Sequence, residues 1–257
     1  METKARLAGR IAIVTGAASS AGIGFATAQR LADEGASVAL TDVDEQGVLA
    51  RADELCAGGA LALGLGHDVT SADDWQRVLD ACEARLGGID VLVNNAGIVV
   101  LRTLDELELV DWQRQIDVNL TSVYLGCRAA VERMRRHGRG GSIVNVSSMA
   151  GLVGIRRCTA YGASKGGIRL FSKSLALETA AEGIRVNSVH PGVIETDIQK
   201  VAMSDGGEQS ARVHAMIPMQ RKGRPKEVAA MIAFLASDDA GYVTGGEFAI
   251  DGGMTAQ

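Results

Sequence analysis

The sequence predicts a three-layer α/β fold: a parallel sheet of about seven strands with helices packed on both faces. Three observations predict it. Short β-branched runs alternate with longer amphipathic stretches along the whole chain. A glycine-rich turn joins the first apolar run to the helical stretch behind it. The three prolines, Pro191, Pro218 and Pro225, fall outside the interiors of the predicted elements.

The elements follow in order. Residues 11–14 read as a first strand and 22–34 as the helix after it. Residues 37–41 are a second strand, followed by a helix from about Glu45. A weaker strand pattern covers 60–66, before a helix over 73–85. Residues 89–93 form a strand, 111–136 a long helical stretch and 142–146 a further strand. A helix over 161–181 precedes a strand over 184–189. Pro225 marks the start of a helix over 228–236, and 247–250 is the last strand. Strands separated by helices imply right-handed crossovers and hence a parallel sheet. The least regular stretch, 195–223, is polar and contains glycine, and it reads as a substrate lid or a flexible loop.

Composition narrows the function. A length of 257 residues fits one domain spanning 1–257, and 47% apolar content supplies its core. A net charge of −5 argues against nucleic-acid binding. The short basic run Arg133, Arg135, Arg136, His137 and Arg139 ends at a helix C-terminus beside Gly138, where cations suit the helix dipole. Cys56, Cys82, Cys127 and Cys158 lack metal-binding or Cys-x-x-Cys spacing and read as reduced thiols. No metal site is expected. The polar first ten residues and the absence of a membrane-spanning apolar run point to the cytoplasm.

The turn after the first strand reads Thr15, Gly16, Ala17, Ala18, Ser19, Ser20, Ala21, Gly22, Ile23, Gly24. Glycines let the backbone approach a pyrophosphate, and the following helix offers free N–H groups and a partial positive charge. Between a strand and a helix, such a turn indicates a Rossmann-like, doubly wound dinucleotide-binding sheet. Asp42 ends the second strand, where an acidic residue accepts from adenosine ribose hydroxyls and repels a 2′-phosphate. NAD(H) is therefore the preferred cofactor, with NADP(H) possible. Helix capping is the competing role for an aspartate here, and Asp44 is the better placed cap.

Tyr161 and Lys165 lie four residues apart on one helix face, and Ser148 precedes the tyrosine by thirteen positions. A phenol titrates near pH ~10, and a neighbouring ammonium favours the phenolate. Tuning of that kind is what general acid–base chemistry needs. The hydroxyl of Ser148 can orient the same substrate oxygen.

Together these residues resemble the short-chain dehydrogenase/reductase family, in its single-domain branch. The resemblance covers nearly the whole chain. It rests on the 15–24 turn, Asp68-Val69, Asn94-Asn95-Ala96-Gly97, Asn119, Ser148, Tyr161 with Lys165, Pro191-Gly192 and Asp251-Gly252-Gly253. It implies that Tyr161 is the general acid/base, that Lys165 lowers its pKa and holds the nicotinamide ribose, and that Ser148 polarises the reacting oxygen. The spacing to Tyr161 selects Ser148 over Ser147. Asn119 is implied to hold a water of a proton relay. Cofactor contacts are implied at Gly16, Ser19, Ile23, Asp68, Val69, Asn95, Ala96, Gly97, Pro191, Gly192, Ile194 and Thr196. The turn departs from the family pattern: five residues, not three, separate Gly16 from Gly22, so contacts inside it do not transfer one by one.

The resemblance implies an oxidoreductase interconverting a secondary alcohol and a ketone, assembled as a homotetramer through the helices around 119–136 and 161–181. Two other readings stand beside it. One is an NADPH-dependent reductase of 3-oxoacyl carrier-protein thioesters, which resembles the chain over 191–197 and 234–253. The other is a non-catalytic NAD(H)-binding sensor. The four-residue Tyr161–Lys165 spacing does not fit the related enoyl reductases. His190, beside Pro191, is read as a structural or hydrogen-bonding histidine. Arg156, Arg157 and Cys158 are candidates for the substrate entrance, and Met149, Leu152, Val153, Met203, Met216 and Met219 for an adaptable pocket.

Overall fold

The computed structural model describes residues 5–197 and 215–256. Seven strands form one parallel sheet: β1 (Ile11–Thr15), β2 (Ser37–Asp42), β3 (Ala62–Gly66), β4 (Val91–Asn94), β5 (Gly141–Val146), β6 (Ile184–Pro191) and β7 (Glu247–Ile250). Their spatial order is β3-β2-β1-β4-β5-β6-β7. The helices are α1 (Ile23–Asp33), α2 (Glu45–Ala57), α3 (Ala72–Leu86), α4 (Leu109–Ile116), α5 (Ser122–His137), α6 (Thr159–Thr179) and α7 (Pro225–Ala236).

The strands are apolar on both faces because each face meets helices. In β1, Ala12 and Val14 join a core with Phe25, Leu31 and Ile232 from α1 and α7. The intervening Ile13 joins a second core with Trp75, Leu79 and Ile168 from α3 and α6. β4 divides in the same way, with Val91 and Val93 on one side and Leu92 on the other. The strand order reverses between β1 and β4, and the carboxyl ends of these two strands frame a crevice.

The helical stretch read over 111–136 is divided. A π-helical turn, Asp117–Thr121, separates α4 from α5. Periodicity does not reveal one extra residue per turn, and such turns often occur at functional sites. Pro191 ends β6 opposite Ile250 rather than lying beyond the strand. With no N–H to donate, Pro191 closes the strand.

The basic run is neutralised internally. Arg133 is buried between α3 and α5, pairing with Glu83 and, at 2.7 Å, with Asp80. Arg135 pairs with Glu182, and Arg139 with Asp90 at 3.0 Å. Gly138 caps α5 at φ +66°, a conformation that favours glycine. Of the four free cysteines only Cys56 is exposed. Among the described residues no helix is long and apolar enough to cross a membrane.

Candidate active site

The glycine turn is tied to the end of β4. Thr15 Oγ1 accepts from the N–H groups of Asn95 and Ala96, each at 3.0 Å. Asn95 Nδ2 donates to the carbonyls of Thr15 at 2.8 Å and Gly16 at 3.0 Å. Space here is minimal. A Cβ on Gly24 would stand 2.2 Å from the Gly16 carbonyl oxygen. Gly16 itself adopts φ +68°, with Ala96 Cα 2.8 Å from where a Cβ would be.

The start of α1 suits an anion. Its N-cap, Gly22, makes no side-chain cap, and the first turn carries no acidic residue. The terminal N–H groups and the positive end of the helix are offset neither by a side-chain cap from Gly22 nor by an acidic residue of the first turn. A dinucleotide pyrophosphate fits that donor set.

The lengthened part of the turn folds across the end of β2. Ala17 N–H donates to the Thr41 carbonyl, and Ala18 N–H to Asp42 Oδ2 at 3.0 Å. Asp42 Oδ1 accepts from the Asp44 N–H at 3.1 Å. Asp44 in turn caps α2 by accepting from Gly47 N–H. The two aspartates thus divide the roles weighed in the sequence: Asp44 caps, and Asp42 is fixed beside the turn. Ser19 Oγ reaches away and donates to Asp197 Oδ2 at 2.7 Å. Asp68 Oδ1 is taken by Thr70, while Val69 is buried and its carbonyl accepts from the Trp75 indole.

Tyr161 and Lys165 lie one turn apart on α6. Lys165 is buried, its Nζ 5.8 Å from the centre of the Tyr161 ring and 2.9 Å from the Val146 carbonyl to which it donates. Burial lowers the Lys165 pKa to about 8. The Tyr161 phenol differs from the sequence expectation. Burial pushes its pKa above the ordinary value, a hydrogen bond with Ser148 works in the opposite direction, and Cys158 adds to the rise. Desolvation of the phenolate outweighs the effect expected of the nearby ammonium.

Ser148 stands where the chain leaves β5. Its backbone is extended, and its Oγ accepts from the Ala150 N–H at 3.2 Å. Ser147 turns the other way and donates to the Lys165 carbonyl at 2.8 Å, anchoring α6 to the sheet. Asn119 lies in the π-helical turn, fully buried. Its Oδ1 accepts from Ile98 N–H at 2.8 Å, and its Nδ2 donates to Ile98 O and to Ser164 Oγ. The amide therefore clamps the loop after β4 to α6. A side chain on Gly97 would sit 3.2 Å from Asn119 Oδ1 and 3.4 Å from Lys165 Nζ.

Beyond β6, Ile194 is buried and bridges to Gly223. Thr196 is also buried, and Gly192 packs so closely on Asp251 that a Cβ would meet its Cα at 2.7 Å. The lid read over 195–223, with Met203, lies largely outside the described residues; Met216 and Met219 are described and exposed. Arg157 pairs loosely with Glu106 and adopts φ +64°. Thr15 and Ser164 carry functions the sequence did not reveal. Each acts on a segment distant in the chain, and no local pattern marks such a contact.

Residues 16–255 match the family model described as enoyl-(acyl carrier protein) reductase. The crystal structure of a short-chain type dehydrogenase/reductase from Mycobacterium marinum superimposes with a TM-score of 0.92 at 36% identity, over 98% of this chain and 97% of that one. The chain belongs to the short-chain dehydrogenase/reductase family. Within that family it is 38% identical to the NADP-dependent (R)-specific alcohol dehydrogenase of Lentilactobacillus kefiri, over 98% of this chain and 99% of the relative. It is 40% identical to the 3-alpha-(or 20-beta)-hydroxysteroid dehydrogenase of Mycobacterium bovis, over 98% of this chain and 91% of the relative. Members of this family bind a nicotinamide cofactor, and the crevice between β1 and β4 supplies the donor set for one.

Proposed function

We propose that the chain is an oxidoreductase that interconverts a secondary alcohol and a ketone, with Ser148, Tyr161 and Lys165 at the reacting oxygen and NAD(H) as preferred cofactor. One observation carries the reading: Ser148 and the Tyr161 phenol share a hydrogen bond, and the buried Lys165 stands 5.8 Å from the Tyr161 ring and 3.4 Å from where a Cβ on Gly97 would be, next to the Ala96 that packs on Gly16. The similarity to an alcohol dehydrogenase and a hydroxysteroid dehydrogenase supports the same substrate class.

A nicotinamide cofactor, when bound, would supply or accept the hydride. Tyr161 exchanges the proton at the substrate oxygen, donating to it in ketone reduction and removing it in alcohol oxidation. Ser148 holds that oxygen in place, and its hydroxyl offsets charge developing there. Lys165 brings a cation beside the phenol and would hold the cofactor ribose. Asn119 keeps the loop after β4 and α6 in register through Ile98 and Ser164. In this reading Gly16, Ile23, Asp68, Val69, Asn95, Ala96, Gly97, Pro191, Gly192, Ile194 and Thr196 would hold the cofactor.

Asp42 supports the choice of NAD(H). Its carboxylate is held at the end of β2 by two N–H groups, and the 15–24 turn carries no arginine or lysine to receive a 2′-phosphate. One domain with a lid over 195–223, in a homotetramer joined through α5 and α6, completes the proposal. Tyr124, Leu170 and Leu177 leave exposed apolar surface on those two helices.

A panel of cyclic ketones, keto-esters, sugars, ketosteroids and 3-oxoacyl thioesters, followed by NADH and NADPH absorbance, tests the reading. Reduction of at least one ketone, faster with NADH, is the expected result. Activity confined to the thioesters with NADPH would replace it.

A further inference from the structure

We infer that His190 is a positioning residue for Ser148: its side chain reaches the Ser148 carbonyl at the point where backbone pairing between β5 and β6 has ended. The inference rests on the role proposed above for Ser148.

The backbone creates the need. β5 and β6 pair up to Val146 opposite Val189, and Ser147 N–H still donates to the Val189 carbonyl at 2.8 Å. Beyond that point the chain leaves β5 for the single 3₁₀ turn Met149–Gly151. β6 runs on through His190 to Pro191, which has no N–H. No backbone pairing from β6 therefore reaches the Ser148 peptide. His190 Nδ1 fills the gap, 3.2 Å from the Ser148 carbonyl oxygen.

A carbonyl only accepts, so Nδ1 carries the proton. That fixes the tautomer and leaves Nε2 as an acceptor, 2.9 Å from Ser188 Oγ. Ser188 is itself held by its main-chain N–H donating to the Gly246 carbonyl before β7. The second partner of the Ser148 carbonyl is Gly151 N–H at 2.9 Å, within the turn. Ser148 is thus held from ahead by its own turn and from behind by β6, and both lone pairs of its carbonyl are used.

The ring is fully buried and satisfied at both nitrogens. Burial keeps its pKa below the ordinary histidine value; the Ser148 carbonyl and Glu247 oppose that, and Arg169 and Lys165 reinforce it. A neutral ring of one tautomer is a rigid spacer. Orienting groups that slip by about 1 Å cost up to about 100-fold in rate, so the contact bears on turnover rather than on binding.

His190→Ala and His190→Asn are the decisive variants, since the Asn Nδ2 stands near the place of Nδ1 and can donate to the same carbonyl. Each is assayed with cyclopentanone, ethyl acetoacetate and a 3-ketosteroid, for kcat and KM separately. NADH affinity, melting temperature and a crystal structure are measured alongside. The inference expects His190→Ala to lose about 30-fold or more in kcat with NADH affinity unchanged. It expects His190→Asn to recover most of that loss, and Ser148 in the Ala variant to move by about 0.5 Å or more. Ser188→Ala, a milder change, is expected to lower kcat about threefold. A histidine serving stability alone would lower the melting point in both variants and leave kcat per folded molecule unchanged, and that result overturns the inference. An unmoved Ser148 in the Ala variant overturns it too. If the unmodified protein reduces neither these three nor any other ketone of the wider panel, the proposed function fails by itself, and the displacement of Ser148 still decides the positioning role.

Discussion

Lys165 carries its ammonium to 5.8 Å from the centre of the Tyr161 ring while donating to the Val146 carbonyl, and among the described residues it pairs with no carboxylate. Burial pulls the two groups in opposite senses: Lys165 down to about 8, Tyr161 above its ordinary value. A phenol so placed keeps its proton throughout the neutral range. Ketone reduction, which needs the proton, is expected to stay level through neutral pH. Alcohol oxidation, which needs the phenolate, is expected to keep climbing to about pH 10. Initial rates in both directions between about pH 6 and 10 check this; an oxidation limb that levels off near neutrality shows the phenol pulled down instead.

Lys165→Met removes activity and raises stability. The unfolded lysine titrates at 10.5 and the folded one near 8, so below pH 8 both are charged and the whole cost of burying the charge is present. That cost is about 3 kcal/mol, reduced in the variant by the unpaired Val146 carbonyl. Between pH 8 and 10.5 the unfolded chain holds the extra proton, so the unmodified protein gains stability as pH rises and the advantage of Lys165→Met shrinks. Thermal melts of both proteins at about pH 7 and 10 should show a gap of several degrees closing.

Tyr161→Phe is expected to lower kcat by about 10³-fold, and Ser148→Ala by about 10²-fold, with NADH binding retained in both. The two residues act on one oxygen, so the double variant should fall little below Tyr161→Phe alone. Fully additive losses in single-turnover assays would mean that they act at different places.

Asp42→Asn removes the charge and gives up one of the two N–H bonds, since an amide nitrogen cannot accept from Ala18 or Asp44. NADPH use should rise relative to NADH by about 30-fold, the ratio that about 2 kcal/mol of screened repulsion represents. The ratio of kcat/KM for the two cofactors measures it. An unchanged ratio would show that the lengthened turn keeps the 2′ position away from Asp42.

Gly24→Ala places a methyl 2.2 Å from the Gly16 carbonyl, which is backbone and has no side chain to swing aside. The turn must open, at a cost of about 3 kcal/mol, and NADH affinity should fall with it. Gly154→Ala, where a Cβ meets nothing within 4 Å, serves as the control. Melting curves and fluorescence titration with NADH separate the two effects.

Much was legible in the residues alone, because it is local or repetitive. Two-sided apolar strands, alternating helices and the glycine turn specify the sheet, since each follows from near neighbours along the chain. The four-residue spacing places Tyr161 and Lys165 on one face of a helix for the same reason. The π-helical turn around Asn119, the anchoring of α6 by Ser147 and the reach of His190 to Ser148 were decided only by the tertiary structure. Each depends on a contact between segments brought together by sheet order, and on how much water the packing removes. That removal is also why the phenol moved up rather than down: spacing along a helix fixes which groups meet, but desolvation is a property of everything packed around them.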